Sequence, residues 1–283
     1  MSSPKVWFIT GTSTGFGKQL TLTALARGDK VVATARNVDK LKELKDAGAD
    51  TLSLDVTAPL DQIKQVAETA FKLYGRIDYL INNAGYVQSG GIEELTPEDI
   101  QAQFDTNVFG LLNVTRAIVP YMRAARSGAI ANISSIGAWS GMGGGGAYCA
   151  SKWAVSAFSE SLTYELAEFG IKVVCIEPGY FRSNLLHTGN KGVKKNVIPD
   201  YDGDTAVRQG EALLESANNN QPGDVKKGSK VIIDVLTGAT GKDIPIRLPL
   251  GPDSYDFIKG KCEGTVKLLD EWKDLTSSTN IDQ

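Results

Sequence analysis

The sequence predicts an α/β fold built on a doubly wound parallel β-sheet, with helices on both faces in three layers. Short runs rich in Val and Ile alternate with longer segments of helical periodicity over the first two thirds of the chain. The short runs lack a strict alternation of apolar and polar residues, as expected of strands that are buried on both faces. Strands that alternate with helices form parallel sheets with right-handed crossovers, so the predicted architecture is of the Rossmann type.

A series of strands and helices accounts for this pattern. The predicted strands are Lys5–Thr10, Lys30–Ala35, Thr51–Asp55, Ile77–Asn82, Gly128–Ser134, Lys172–Glu177 and Ile244–Leu248. The predicted helices are Gly17–Arg27, Val38–Ala47, Leu60–Tyr74, Pro97–Ala125, Ala147–Phe169, Thr205–Ala217, Val225–Thr237 and Asp253–Leu275. The start at Pro97 is well marked, because the hydroxyl group of Thr96 can cap the helix and proline fits the first turn.

The chain changes character after Gly179. Residues 181–228 are rich in Gly, Asn, Asp and Lys and contain one clear helical segment, which predicts a mobile lid over the functional site. Neither repeats nor a linker interrupt the sequence, so residues 1–276 are predicted to form a single domain. Residues 277–283 are expected to be a frayed tail.

The composition excludes several classes of protein. Of the 283 residues, 22% are charged and 42% hydrophobic, which is typical of a globular protein. A net charge of −3 and a pI of about 5.4 indicate neither a nucleic-acid nor a membrane partner. No apolar run reaches the ~18 residues of a membrane span, and no signal peptide is recognised before the first strand. The three cysteines lack disulfide or metal-ligand spacing, so we expect a cytoplasmic protein without a metal site.

A glycine-rich turn follows the first predicted strand, in the order Thr10-Gly11-Thr12-Ser13-Thr14-Gly15-Phe16-Gly17. Glycines permit a tight strand-to-helix turn and let the backbone approach a pyrophosphate, while the next helix offers free N–H groups and the positive end of its dipole. A glycine triplet alone is equally consistent with a structural turn. Its position at the first strand–turn–helix unit favours a dinucleotide site made of Gly11, Ser13, Thr14, Gly15, Phe16 and Gly17.

The second predicted strand ends in Ala33-Thr34-Ala35-Arg36. Folds that bind NAD usually carry an acidic residue near this point to bond the ribose 2′-hydroxyl, whereas an arginine suits a 2′-phosphate. Here Ala35 stands in place of the acidic residue, and Arg36 offers a cation that can bind a phosphate through two hydrogen bonds. An arginine at this position is also consistent with a solvated strand end. These residues favour NADP(H) as the cofactor, with NAD(H) as the alternative.

Tyr148 and Lys152 stand four residues apart, and Ser135 precedes the tyrosine by thirteen residues. Positions i and i+4 share one helix face, so the phenol and the ammonium can point into one pocket. A free tyrosine titrates near pH ~10, and a nearby cation lowers its pKa, so that it can exchange a proton at neutral pH. The pair alone is a weak signal, but together with the glycine turn it predicts a catalytic site.

Further motifs occur in a fixed order along the chain. They are Asp55 in LDVT, Asn82-Asn83-Ala84-Gly85, Asn107 in DTNVFG, and Pro178-Gly179. With the glycine turn, Ser135 and Tyr148-x-x-x-Lys152, they make the chain similar to the short-chain dehydrogenase/reductase family in its single-domain form, over nearly the whole length. The serine-to-tyrosine spacing of that family selects Ser135 over its neighbour Ser134.

The resemblance implies a catalytic group of Ser135, Tyr148, Lys152 and Asn107. The serine and the tyrosine would bind the carbonyl oxygen, and the lysine would also bind the nicotinamide ribose. The asparagine would hold a water that passes protons to the lysine. The expected reaction is hydride transfer between NADP(H) and a carbonyl compound or a secondary alcohol.

The resemblance also implies positions around the cofactor. Asp55 and Val56 would flank the adenine, and Asn83, Ala84 and Gly85 would support the adenosine side and the central sheet. The backbone after Pro178 and Gly179, near Phe181, would hold the carboxamide, and the hydroxyl group of Ser183 could do the same. Tyr148 and Lys152 would contact the nicotinamide end.

Each of these residues also fits a structural role. Asp55 can begin a turn, Asn82 and Asn83 can satisfy loop backbone, Asn107 can belong to a helix kink, and Pro178-Gly179 can end a strand. Thr14 stands where many NADP-dependent members carry a basic residue, which leaves Arg36 as the main phosphate ligand. The glycine-rich run Gly141–Gly146 indicates either a roomy or flexible substrate pocket or an unstrained connector.

Two alternative functions stay open. One is an NAD(P)-dependent epimerase or dehydratase that keeps its cofactor bound, and the other is a dinucleotide-binding regulator without catalysis. Trp139, Met142, Tyr180 and Phe181 suggest an apolar cavity for the small-molecule substrate. Members of the family commonly form homodimers or homotetramers through the two long helices, which correspond here to Pro97–Ala125 and Ala147–Phe169.

Overall fold

The computed structural model describes residues 3–187 and 191–281, in which strands and helices alternate as the sequence predicts. The strands are β1 Val6–Ile9, β2 Lys30–Ala35, β3 Asp50–Ser53, β4 Tyr79–Asn82, β5 Val87–Ser89, β6 Gly128–Ile133, β7 Ile171–Pro178, β8 Lys191–Val193 and β9 Arg247–Leu250. The α-helices are α1 Gly15–Ala26, α2 Lys42–Asp46, α3 Leu60–Tyr74, α4 Pro97–Phe104, α5 Leu111–Ala125, α6 Gly146–Ala167, α7 Ala206–Ala217, α8 Val225–Leu236 and α9 Pro252–Thr276.

The main sheet has the strand order β3-β2-β1-β4-β6-β7-β9, and each of its described pairings is parallel. The order reverses between β1 and β4. Open α/β sheets bind ligands in the crevice at such a reversal, outside the carboxyl ends of the strands. The predicted Rossmann-type fold is confirmed, and the glycine turn after β1 lies at this crevice.

Two apolar cores cover the two faces of the sheet. Trp7 and Ile9 belong to the core beneath α1, α2 and α8, whereas Phe8 belongs to the core beneath α3, α5 and α6. Successive residues of a strand point to opposite faces, so β1 must be apolar at every position to serve both cores. This is why apolar and polar residues do not alternate along the strand. Because helices cover both faces of the sheet, the predicted three layers are confirmed.

Two predicted elements differ in detail. The helix predicted over Pro97–Ala125 is interrupted by a π-helical segment, Asp105–Gly110, between α4 and α5. Gly110 passes so close to Val56 that a Cβ atom on it would lie 2.8 Å from Val56 Cγ2. The last strand was predicted over Ile244–Leu248, but β9 begins three residues later, at Arg247. Its register with β7 starts with Arg247 opposite Cys175.

The short strands β5 and β8 pair in parallel, with Val87 opposite Lys191 and Ser89 opposite Val193. The sequence analysis did not predict them, since three residues carry no periodicity. Their pairing attaches the segment after β7 to the loop after β4.

The predicted lid is shorter at its carboxyl end than 181–228. Residues 225–228 form the first turn of α8, which packs on the body: a Cβ atom on Gly228 would lie 3.0 Å from the Phe16 ring. Residues 188–190 of the predicted lid and 282–283 of the predicted tail lie outside the described residues. Within the described ranges, none of the helices has the length and apolar character needed to cross a membrane.

Candidate active site

The turn Thr10–Gly17 joins β1 to α1 at the carboxyl edge of the sheet. Gly11 has a φ of +67°, and a Cβ atom on it would lie 2.8 Å from Ala84 Cα. A Cβ atom on Gly17 would overlap the carbonyl oxygen of Gly11. The turn therefore needs glycine at both positions to pack against the loop after β4.

Hydrogen bonds from the loop after β4 hold this turn. Thr10 Oγ1 accepts from the N–H groups of Asn83 and Ala84, both at 3.0 Å. Asn83 Nδ2 donates to the carbonyl oxygens of Thr10 and Gly11 at 2.9 and 3.0 Å. Asn82 instead is buried in the core, where its amide donates to Asn132. Asn83 thus satisfies loop backbone and, by doing so, shapes the glycine turn.

The first turn of α1 has the properties of a phosphate site. Thr14 is an exposed, extended N-cap residue that makes no side-chain hydrogen bond to the helix. The N–H groups of Gly15–Gly17 therefore have no side-chain cap, and such groups bind anions with help from the helix dipole. Ser13 is half-buried beside them. This uncapped end and the glycine cradle fit the pyrophosphate of a dinucleotide.

The residues predicted for the adenosine end follow β2 and β3. Arg36 is exposed and forms no salt bridge with any described residue. Asp55 is exposed, and its Oδ1 accepts from the N–H and hydroxyl groups of Thr57 at 2.9 and 2.8 Å, so it does begin a turn. Val56 is buried against Gly110. Of these three, Arg36 is the group free to bind an anion.

Ser135, Tyr148 and Lys152 meet beside the loop after β4. A Cβ atom on Gly137 would lie 3.4 Å from Ser135 Oγ and 3.5 Å from Tyr148 Cε1. Lys152 Nζ donates to the carbonyl oxygen of Ile133 at 2.7 Å and lies 5.8 Å from the centre of the Tyr148 ring. A Cβ atom on Gly85 would lie 3.6 Å from Lys152 Nζ, so the ammonium stands next to the loop after β4 that holds the glycine turn.

The two neighbouring serines have different surroundings. Ser134 is 3% exposed, and its hydroxyl group donates to the carbonyl oxygen of Lys152 at 3.0 Å. Ser135 is half-buried, its Oγ accepts from the N–H of Gly137 at 3.0 Å, and its hydroxyl group lies close enough to Tyr148 to lower the pKa of the phenol against the larger effect of burial. This geometry favours Ser135 over Ser134 as the partner of Tyr148.

Asn107 lies in the π-helical segment and is 1% exposed. Its Oδ1 accepts from the N–H of Tyr86, and its Nδ2 donates to the carbonyl oxygen of the same residue, both at 3.1 Å. Nδ2 also donates to Ser151 Oγ at 3.0 Å. Asn107 therefore joins the loop after β4 to α6. The sequence analysis missed Tyr86 and Ser151, because only long-range packing makes them its partners.

Residues 5–194 match the family model described as short chain dehydrogenase. The chain belongs to the short-chain dehydrogenase family. It is 35% identical over 277 residues to the oxidoreductase BOA17 of Botryotinia fuckeliana, which covers 96% of this chain and 98% of that protein. It is 34% identical over 253 residues to 3-ketodihydrosphingosine reductase of Bacteroides thetaiotaomicron, with 88% of each chain covered. The crystal structure of a short-chain dehydrogenase from Streptomyces avermitilis has a TM-score of 0.89 and 39% identity, over 99% of this chain and 100% of that one.

In this short-chain dehydrogenase, the loop after β7 returns to the glycine turn. The N–H of Gly179 donates to the carbonyl oxygen of Leu250 at 2.9 Å, at the end of the strand that Pro178 closes. The Phe181 ring packs on Phe16 with centroids 5.0 Å apart. A Cβ atom on Gly15 would lie 3.3 Å from Ser183 Cβ. The structure thus brings Phe181 and Ser183 to the glycine turn, and their expected role at the carboxamide stays a prediction.

The pKa of Tyr148 differs from expectation. Burial of the phenol raises its pKa to about 12, and the hydrogen bond from Ser135 only partly opposes this. Burial also lowers the pKa of Lys152 to about 8. Desolvation is the largest influence on the pKa of Tyr148 in the protein without cofactor, and a lowering of that pKa by Lys152 in the cofactor complex stays a prediction. At neutral pH both Tyr148 and Lys152 are mostly protonated.

The glycine-rich run Gly141–Gly146 is neither a roomy wall nor a free connector. A Cβ atom on Gly143 would overlap the carbonyl oxygen of Ala206, and one on Gly144 would lie 2.7 Å from that of Val207. A Cβ atom on Gly210 would overlap the carbonyl oxygen of Gly143. Gly143 and Gly144 leave no room for a side chain because α7 packs directly on their backbone, whereas a Cβ atom on Gly141 would meet nothing within 4 Å.

The four residues expected to line an apolar cavity do not stay together. The Trp139 ring lies under the Arg247 guanidinium at 4.1 Å, towards α9, and Phe181 packs on Phe16. Tyr180 stands close enough to Tyr148 to raise its pKa electrostatically, as a lesser effect than burial. Met142 packs against Gly145 at the start of α6. Met142 and Tyr180 are therefore the pocket candidates that remain.

Proposed function

We propose that this short-chain dehydrogenase transfers a hydride between NADP(H) and a carbonyl compound or a secondary alcohol. The observation that carries the proposal is the proximity of Ser135 to Tyr148 at Gly137 and of Tyr148 to Lys152, whose ammonium in turn lies beside Gly85 in the loop that supports the glycine turn. A proton donor beside a dinucleotide site is what reduction of a carbonyl group requires.

In the proposed reduction, a bound nicotinamide would supply the hydride that adds to the carbonyl carbon. Ser135 and Tyr148 polarise the carbonyl oxygen through hydrogen bonds. Tyr148, with a pKa of about 12, keeps its proton at neutral pH and transfers it to the oxygen as the C–H bond forms. General-acid catalysis of this kind contributes roughly 10²–10⁴-fold.

The charge left on Tyr148 needs a cation. Lys152, with a pKa of about 8, is largely protonated at neutral pH and favours the phenolate that remains. Asn107, buried beside Gly85, would hold a water that resupplies the proton. Oxidation of an alcohol reverses these steps, with the phenolate as the base.

The exposed Arg36 supports NADP(H) as the cofactor. It follows β2 directly, where Ala35 offers no carboxylate to a ribose hydroxyl, and it is free of described salt bridges. A guanidinium group can bind a 2′-phosphate through two parallel hydrogen bonds. NAD(H) is the alternative that the test must include.

Apolar side chains near the start of α6 support an apolar substrate. Ile92 is 61% exposed, and a Cβ atom on Gly146 would lie 2.8 Å from its Cδ1 atom. Met142 packs against the preceding residue, Gly145, and Tyr148 is two residues after Gly146 on the same helix. The relative named 3-ketodihydrosphingosine reductase is named for a 3-keto compound. We propose aldehydes or ketones with an apolar substituent.

The experiment follows NADPH or NADH absorbance over aldehydes and ketones with apolar substituents of increasing length. Tyr148→Phe is expected to lower kcat at least 100-fold, the lower bound for a general acid, without weakening NADPH binding. Tyr164→Phe, which changes a tyrosine 73% exposed on the same helix, is the matched control. Wild-type rates in purified Tyr148→Phe would refute the proposed role.

The same samples separate the alternatives. An epimerase or dehydratase would release tightly held cofactor on denaturation and consume none with the carbonyl panel. A regulator without catalysis would show a thermal shift with NADPH and no turnover.

A further inference from the structure

The carboxyl-terminal half of α9 lies uncovered by the rest of the protein. Ile258 is buried at 7% exposure, but every described residue after it, up to Ile281, is exposed. The helix nevertheless continues to Thr276. Residues 259–276 form about 27 Å of helix at 1.5 Å per residue. An isolated helix of this length is marginal in water, so a partner that covers one face would stabilise it.

The uncovered segment carries an apolar stripe. Trp272 follows Leu268 by four residues and Leu269 by three, Leu275 follows Trp272 by three, and each of the four is between 49% and 65% exposed. Residues at such steps lie on one face of a helix. A continuous exposed apolar surface on a protein of this kind indicates a contact with another molecule.

The charges of this segment are divided between its two halves. Residues 259–267 contain Lys259, Lys261 and Lys267 against Glu263, a net charge of +2. Residues 268–276 contain Asp270, Glu271 and Asp274 against Lys273, a net charge of −2. Acidic residues near a helix carboxyl end oppose the helix dipole, so this order is unfavourable in a single helix.

A second copy of the chain removes this disadvantage. Two α9 segments packed antiparallel place the basic half of each beside the acidic half of the other, whereas parallel packing places like charges together. Lys261, Lys267, Asp270, Glu271 and Asp274 form no salt bridge with the described residues, so these charges are available. The segment has no excess of basic residues, which makes an anionic membrane surface the less suitable partner.

The surface continues into a cleft between α6 and α9. The cleft has a volume of about 520 Å³, and its walls include Trp139 and Trp153 on one side and Cys262 and Val266 on the other. Trp153 is 50% exposed there. The apolar stripe of one copy therefore meets further apolar surface at the base of the helix of the other copy.

We propose that residues 259–276 of α9 form a self-complementary interface, which packs antiparallel on the same segment of a second copy. The segment lies outside the two long helices expected to join subunits in this family, and only the cleft at its base includes residues of one of them, α6.

The first test compares the solution mass of the full chain with that of Leu269→Lys, by light scattering coupled to gel filtration. Leu269→Lys is expected to halve the mass while the circular dichroism spectrum and thermal midpoint stay close to wild type. Tyr255→Lys, which changes an aromatic residue 58% exposed on the same helix before residue 259, is the control and should keep the wild-type mass. An unchanged mass for Leu269→Lys, or a monomeric wild type at micromolar concentrations, overturns the proposal.

The second test determines the direction of packing through Cys262, which is exposed, while Cys149 and Cys175 are buried. In Leu275→Cys, antiparallel packing brings the new cysteine near Cys262 of the other copy, so mild oxidation should give a disulfide-linked dimer. Adding Cys262→Ser should abolish that product. A linked dimer from wild type alone would show parallel packing and contradict the proposal. Binding to phosphatidylserine vesicles that Leu269→Lys abolishes, without any dimer, would assign the stripe to a membrane surface instead.

Discussion

Arg208 donates two hydrogen bonds to the buried carboxylate of Glu94, with Nη1 2.9 Å from Oε2 and Nη2 2.5 Å from Oε1. Glu94 is in the loop after β5, and Arg208 is on α7, so this pair joins the body to the segment predicted as a lid. Lys194 Nζ adds a third contact at 2.9 Å, and the N–H group of Ile198 a fourth at 3.2 Å. These cations hold the pKa of Glu94 well below its usual range.

Glu94→Gln should loosen this segment. The neutral amide removes the buried charge that pairs with Arg208 and Lys194, which keep only Glu211 and Asp202 as anionic partners, and loss of one partner of a buried pair is destabilising. We expect a lower thermal midpoint and a raised KM, with kcat changed less, because the group lies outside the catalytic residues.

Glu165→Gln is the control for this change, since Glu165 is an exposed residue of α6 that loses the same charge. Melting curves and steady-state kinetics of both variants are the measurements. Equal effects of the two substitutions would show that the buried pair with Arg208 does not hold the lid.

Gly210→Ala tests the contact between α7 and the glycine run. Alanine favours an exposed helix over glycine by about 1 kcal/mol, so propensity alone predicts stabilisation. The new Cβ atom, however, would overlap the carbonyl oxygen of Gly143, and α7 would have to move. We expect KM to rise roughly tenfold, because a displacement of α7 that weakens substrate binding by about 1.4 kcal/mol has this effect.

The control for this substitution is Gly260→Ala in α9, where a Cβ atom would meet nothing within 4 Å. It should leave KM unchanged and keep or raise the thermal midpoint. A KM for Gly210→Ala equal to that of the control would contradict the close packing.

Local sequence predicted the centre of the sheet well, because β1, β2, β4, β6 and β7 are short, mostly buried runs between helices. It could not predict β5 and β8, since their pairing joins Val87 to Lys191 across a long stretch of chain. The partnership of Glu94 with Arg208 has the same origin, because neither residue has a local pattern that specifies the other. The glycine-rich run Gly141–Gly146 was recognised in the sequence, but its structural role could not be predicted because it depends on where α7 packs.

The sequence predicted which residues come together at the candidate site, but it did not predict their pKa values. Ser135, Tyr148 and Lys152 do come together, as their spacing indicated. The pKa of Tyr148 depends on how deeply the phenol is buried, which no spacing reveals. The ammonium of Lys152 is bound to the carbonyl oxygen of Ile133, a contact that only the packing of α6 on β6 creates.

Arg36→Ala should weaken NADPH binding and leave NADH binding nearly unchanged. The guanidinium group is exposed, so it has little structural role to lose. Hydrogen bonds between charged groups contribute about 1.5–3 kcal/mol, which corresponds to roughly 10- to 100-fold in the dissociation constant. Arg116→Ala, an exposed arginine on α5, is the control, and fluorescence titration with each cofactor is the measurement. Equal losses for both cofactors would indicate that Arg36 does not bind a 2′-phosphate.

Lys152→Met should stabilise the protein at neutral pH while abolishing most turnover. The folded-state pKa of Lys152 is about 8, below the ordinary value of 10.5, so burial disfavours its charge. Between these values the unfolded chain binds more protons than the folded one, so the free energy of unfolding of the wild type rises with pH. The full difference between the two pKa values corresponds to about 3 kcal/mol. It lowers the free energy of unfolding of the wild type near pH 7, and this penalty disappears above pH 10.5.

Methionine does not titrate, so the stability advantage of Lys152→Met should shrink as the pH rises through this window. Urea titrations at pH 7, 9 and 10 measure it, and an advantage that stays constant would mean that Lys152 is not desolvated in the folded protein.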